Sequence, residues 1–115
     1  MIKKRIEFLQ SNLKEDEAAL ISSDADRLYY TGFRSSAGYV AVTREKAVFL
    51  IDFRYFEKAK QTVDSCEVIL LKNFSQQLGE LFSLQKIKTV YLETDTVSLS
   101  AFSSLKKRLP DFAFS

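Results

Sequence analysis

Two short apolar runs, Tyr39–Thr43 and Ala47–Ile51, separated only by Arg44-Glu45-Lys46, constrain this chain more than any other feature. Three charged residues have the length and chemistry of a hairpin connection, and the β-branched and aromatic content of the runs predicts two antiparallel strands. Neither run alternates apolar with polar. A strand whose successive side chains are all apolar buries both faces, so the hairpin belongs in a sheet covered by helices on each side. The expected class is α/β: a three-layer α/β/α domain with a mixed, mostly parallel sheet of about five or six strands.

The flanking segments fit that expectation. Ile2, Ile6, Leu9 and Leu13 share one face of an opening amphipathic helix, and Ala18–Ser22 reads as the first strand. Ser23, Asp24 and Asp26 offer N-cap oxygens for one helical turn through Leu28-Tyr29-Tyr30, which Gly32 can end. After Ile51, Asp52 stands where a carboxylate can cap a helix carrying Phe56, Ala59 and Val63. Glu67–Leu71 is a further strand; Ser75 is expected to cap a helix bearing Leu78, Leu81 and Phe82, with Phe74 as a staple. Thr89–Glu93 is another strand, and Ser98 caps a last helix with Leu99, Phe102, Leu105 and Leu109, stopped by Pro110. The tail Asp111–Ser115 alternates like a strand and fits either a short edge strand or the continuation of a longer parent.

At 115 residues one domain is expected, burying about two-thirds of its unfolded surface. Net charge is only +2, and the basic residues are dispersed apart from Lys3–Arg5 and Lys106–Arg108, so neither nucleic acid nor an anionic membrane is an expected partner. The apolar runs are far shorter than the roughly 20 residues needed to cross a bilayer. Lys3–Arg5 is followed by Glu7, Gln10, Asn12 and Lys14, not by the apolar segment of a signal peptide. A single cysteine, Cys66, excludes an internal disulfide and suits a reducing compartment, so a cytoplasmic location is expected.

Few residues can carry chemistry. There is no histidine, and with one cysteine neither a zinc cluster nor a Cys-His nucleophile pair can be written. Three glycines, Gly32, Gly38 and Gly79, exclude a phosphate-cradling loop or a dinucleotide fingerprint. Asp24, Asp52, Glu93 and Asp95 all follow expected strands, as the ligands of a magnesium-dependent nuclease would, but Asp24 and Asp52 stand at helix starts, and capping is the stronger reading of them. Arg34 lies in a loop of small residues, Ser35-Ser36-Ala37-Gly38, where a fixed cation could meet a carboxylate or a partner subunit, or simply be solvated. Arg54 and Tyr55 are expected to be structural, the arginine reaching a nearby carboxylate or carbonyl; Tyr29, Tyr30 and Phe33 are expected in the core.

At these residues the sequence resembles a known family. Tyr29-Tyr30-Thr31-Gly32-Phe33 is similar to the Tyr-Leu-Thr-Gly-Phe segment, and Ile51-Asp52-Phe53-Arg54-Tyr55-Phe56-Glu57-Lys58-Ala59 to the Asp-x-Arg-Tyr-x-x-x-Ala segment, of the N-terminal domain of Xaa-Pro dipeptidases and aminopeptidases, relatives of creatinase. The motif positions are thus Gly32, Phe33, Asp52, Arg54 and Tyr55. The resemblance implies a ribonuclease-H-like topology and a non-catalytic role. It places two divalent metal ions in a separate C-terminal pita-bread domain, absent here, whose ligands are two Asp, one His and two Glu. No metal site or catalytic residue is therefore expected in this chain.

The resemblance further implies a homodimer, contact with the chain's own catalytic domain, and a place at the mouth of a site that takes short proline-containing peptides. The loop Phe33–Gly38 resembles the segment that reaches toward the neighbouring active site, which makes Arg34 the candidate for substrate-mouth or dimer contact. A free-standing binding or assembly module is the alternative expectation.

Overall fold

The computed structural model describes residues 2–93 and 97–115, so Asp95 lies outside the described residues. In chain order the elements are α1 (Ile2–Ser11), β1 (Glu17–Ile21), α2 (Asp24–Thr31), β2 (Tyr39–Thr43), β3 (Ala47–Ile51), α3 (Phe53–Thr62), β4 (Glu67–Leu70), α4 (Phe74–Leu84), β5 (Thr89–Leu92), α5 (Leu99–Arg108) and β6 (Ala113–Phe114). The strands form one six-stranded sheet in the order β4-β3-β2-β1-β5-β6. Only β2 is reversed: it pairs antiparallel with β1 and β3, while β1–β5, β3–β4 and β5–β6 are parallel. The expected mixed α/β sheet is what the chain forms.

The continuous apolar runs are explained by the two faces. Ala19 and Ile21, Val40 and Val42, Phe49 and Ile51 point to one side, where Ile6 and Leu13 of the first helical region and Ala59 and Val63 of the α3 region close over them. Ala18 and Leu20, Ala41, Val48 and Leu50 point to the other, beneath Leu78 and Phe82 of α4. Successive strand residues thus enter two different cores, which is why the runs are nearly all apolar. Burying Phe49 and Phe82, both fully enclosed, contributes roughly 1.5–3 kcal/mol each.

Several local expectations need correction. Helix α2 has eight residues rather than one turn; of the three expected cap candidates it is Ser23 that caps, its hydroxyl accepting the Asp26 N–H, while Asp24 and Asp26 stand inside the first turn. Asn73, not Ser75, caps α4, accepting from the Gln76 N–H. The cap moves because Gln77 folds back to accept the N–H groups of Lys72 and Asn73, fixing Asn73 as the last non-helical residue. Ser98 does cap α5, but that helix has no buried residue and Leu99 is 87% exposed. Between α5 and the sheet a cavity of about 200 Å³ remains, lined by Leu20, Tyr39, Phe74, Leu92 and Leu105. Tyr29 is exposed rather than core, its ring covered by the Arg5 guanidinium at 4.3 Å, whereas Tyr30 and Phe33 pack on the first core. The tail residues Ala113–Phe114 form β6 at the sheet edge. Among the described residues no helix is long and apolar enough to cross a membrane.

Candidate functional site

All strands except β2 run the same way, so the turns after β1, β3 and β5 gather at one end of the sheet. The α2–β2 loop, residues 32–38, lies at that end too. Its conformation follows from its glycines. Gly32 ends α2 in the left-handed region (φ 70°) and donates its N–H to Leu28 O at 2.8 Å, a helix stop that a side chain would strain. Gly38, at φ 131°, enters β2 against the Phe49 ring and the Leu50 carbonyl.

Between these two glycines the loop is tied down at several points. Thr31 Oγ1 donates to Arg27 O at 2.6 Å and accepts the Phe33 N–H at 3.1 Å. The Phe33 ring meets Phe49 and Tyr55 edge-on, with centroids 6.2 and 6.3 Å apart. Ser36 Oγ and the Tyr55 hydroxyl share a hydrogen bond of 2.8 Å. Arg27, only 3% exposed, donates from Nη1 to Ser22 O and from Nη2 to Asp24 and, at 2.9 Å, to Ser35 O. Its Nε has no hydrogen-bond partner among the described residues.

Arg34 leaves this loop into solvent and forms no ion pair among the described residues. Arg54, by contrast, is committed: its Nη2 and Nε lie 2.8 and 3.2 Å from Asp52 Oδ2, and its own N–H donates to Asp52 Oδ1 at 3.1 Å. The Arg54 guanidinium holds the Asp52 carboxyl below its usual range, and Asp52 in turn raises Arg54. The pair is a cap clamped in place.

Of the four carboxylates singled out from sequence, the three described ones have separate partners. Asp24 pairs with Arg27, Asp52 with Arg54, and Glu93 accepts the N–H groups of Ser22 and Ser23 at 2.6 and 2.9 Å. Among the described residues no group of three His, Cys, Asp or Glu side chains could hold a metal ion. Cys66, half-buried, has its thiol pushed up by burial, the wrong direction for a thiolate nucleophile.

The structure therefore brings Gly32, Phe33, Arg34 and Tyr55 together around one loop, with Asp52 and Arg54 at the start of the helix that carries Tyr55. What the end of the sheet offers is a fixed cation beside small hydroxyls, suited to holding an anionic group and unsuited to proton transfer near neutral pH. Arg27 was invisible as a site residue from sequence. Its one signal is the spacing Asp24-x-x-Arg27 behind a serine cap, which also describes many exposed helical pairs.

The Creatinase/Prolidase N-terminal domain pattern matches residues 5–115, and the chain belongs to that family. A Mycoplasma pneumoniae protein assigned as an Xaa-Pro aminopeptidase is 33% identical over 100 residues, which are 87% of this chain and 28% of that protein. The Xaa-Pro dipeptidase from Bacillus anthracis superposes with a TM-score of 0.87 at 26% identity, over 99% of this chain and 33% of that one. The N-terminal domain of a metallopeptidase from Corynebacterium diphtheriae shares the fold, with a TM-score of 0.81 at 23% identity over 98% of this chain and 93% of that one. This chain thus spans about a third or less of the length of the first two proteins.

Proposed function

We propose that this chain is the non-catalytic N-terminal domain of a metal-dependent Xaa-Pro peptidase. In that protein it helps form a homodimer and walls the mouth of an active site carried by a separate C-terminal domain. The parent reaction is hydrolysis of short peptides at an Xaa-Pro bond, for which two divalent ions held by the separate catalytic domain would supply an activated water. This chain's own contribution is positional. Arg34 offers a permanent charge to a peptide carboxylate or to a partner subunit, and the loop around it narrows the entrance.

The observation that carries this proposal is the contrast between the two loop-end arginines. Arg54 is neutralised by Asp52, while Arg34 stands exposed on a loop tethered at Ser35 and Ser36.

The test is Arg34→Ala in the whole protein, followed by peptide kinetics and sedimentation. Loss of one charge-assisted contact should raise KM about tenfold, with kcat within about twofold, or weaken the dimer comparably. A variant with unchanged KM and unchanged dimer removes Arg34 from the function.

A further inference from the structure

We propose that Arg27 is a positioning residue: its buried guanidinium clamps the 33–38 loop to the β1–α2 turn and so fixes the direction in which Arg34 leaves the surface. The link from Arg34 to substrate or partner rests on the function proposed above; the clamp itself rests on geometry alone.

One planar fork joins two stretches of chain, the β1–α2 turn at Ser22 and Asp24 and the loop at Ser35. Nη1 takes the carbonyl of Ser22 at the end of β1, while Nη2 takes Asp24 in the first turn of α2 and the carbonyl of Ser35 in the loop. Ser35 is the immediate neighbour of Arg34. Among the described residues the other hydrogen bond of Ser35, from its hydroxyl to Ala37 O at 3.0 Å, stays inside the loop and cannot anchor it. Elsewhere the loop is held at its start by the Phe33 ring on Phe49 and Tyr55, and past Ser35 by Ser36 to the Tyr55 hydroxyl, a bond between exposed groups.

The ends of the loop are set by Gly32, whose N–H closes α2 on Leu28 O, and by Gly38, seated against Phe49 and Leu50. Arg27 adds a hold on the stretch between them, at Ser35. A lysine could supply the charge at position 27 but not the fork, because its ammonium is a single point at the end of a flexible stem. The unpartnered Nε fits the same account: the guanidinium is oriented by its three acceptors, not by complete satisfaction of its own donors.

Trypsin reads the clamp directly, because Arg34 marks a cleavable bond inside the loop and Arg44, in the exposed β2–β3 turn, marks a reference bond outside it. In the Arg27→Lys chain, cleavage after Arg34 should accelerate about tenfold relative to cleavage after Arg44, since only the loop is released. Equal acceleration at both sites, or none at Arg34, overturns the clamp. Should Arg27→Lys fail to fold, Asp24→Asn is read the same way; it loosens the guanidinium's anchorage, and about a threefold selective rise is expected, with no selective rise counting against the clamp.

In the whole protein, Arg27→Lys should reproduce the KM rise of Arg34→Ala with kcat preserved, and the double variant should be no worse than either alone. If Arg34→Ala is silent while Arg27→Lys frees the loop, the substrate role fails and the clamp stands. If Arg34→Ala raises KM while the loop of Arg27→Lys remains protected, the clamp fails and the substrate role stands.

Discussion

The Glu93 carboxylate, just beyond the end of β5, accepts the backbone N–H of Ser23, 70 residues earlier, at 2.9 Å. The same oxygen takes the Ser22 N–H at 2.6 Å, and the other oxygen takes the Ser23 hydroxyl. One side chain thus satisfies the turn between β1 and α2 and locks β5 to it. Removing it orphans two backbone donors in a partly buried turn. Glu93→Ala should therefore cost about 1–3 kcal/mol in urea unfolding; a loss below about 0.5 kcal/mol would mean that water replaces the carboxylate freely.

Asp26 shares a hydrogen bond with Glu93, and that contact, with some burial, pushes the Asp26 carboxyl up. Partial burial pushes Glu93 up as well, but hydrogen bonds from Asp26, the Ser23 hydroxyl and the N–H groups of Ser22 and Ser23 together outweigh it and hold Glu93 at about 2. The two groups act on stability in opposite senses. The Glu93 contribution is present above the ordinary glutamate range and is lost as pH falls toward about 2; the Asp26 contribution is full below the ordinary aspartate range and is lost as pH rises through its raised value.

Asp26→Asn keeps a donor to Glu93 and removes the second charge. The variant should gain a few tenths of a kcal/mol, about 0.3–0.5, over the parent at pH 7, a small figure because Asp26 is mostly exposed. At pH 4, where more of Asp26 is protonated, the gain should be smaller. A difference that does not change between pH 4 and pH 7, measured by urea unfolding, contradicts the upward shift of Asp26.

The two loop glycines should differ in their tolerance of a side chain. A Cβ on Gly38 would meet the Leu50 carbonyl at 3.1 Å and the Phe49 ring at 3.2 Å, groups fixed in the sheet and core, at a φ that L-residues avoid. Gly38→Ala should lose about 2–3 kcal/mol. A Cβ on Gly32 would meet only the flexible tip of Ile2, and φ 70° is a region other residues visit at moderate cost. Gly32→Ala should lose about 1–2 kcal/mol. The reverse order in thermal unfolding would show that the Ile2 contact, not backbone strain, sets the penalty.

Much of this architecture was legible because both faces of the sheet impose the same demand. The bounds of β2 and β3 follow directly from the apolar runs, and Asp52 and Ser98 cap where an isolated polar residue precedes helical spacing. Where several polar residues compete, the sequence does not choose. Ser23 displaces Asp24 as a cap because Arg27 recruits Asp24, and Asn73 displaces Ser75 because Gln77 folds back; both decisions are made by side chains one helical turn away. The site divides in the same way. Arg34 could be singled out from its loop of small residues, whereas Arg27 gains its importance only from Ser35, a partner that folding brings to it.

The central claim is that this chain supports a peptidase without performing the chemistry. Its most direct test is hydrolysis of Xaa-Pro peptides by the purified 115-residue chain in the presence of manganese, cobalt or zinc. The account predicts no turnover above the uncatalysed background with any of the three ions. Metal-dependent cleavage by the chain alone would contradict it.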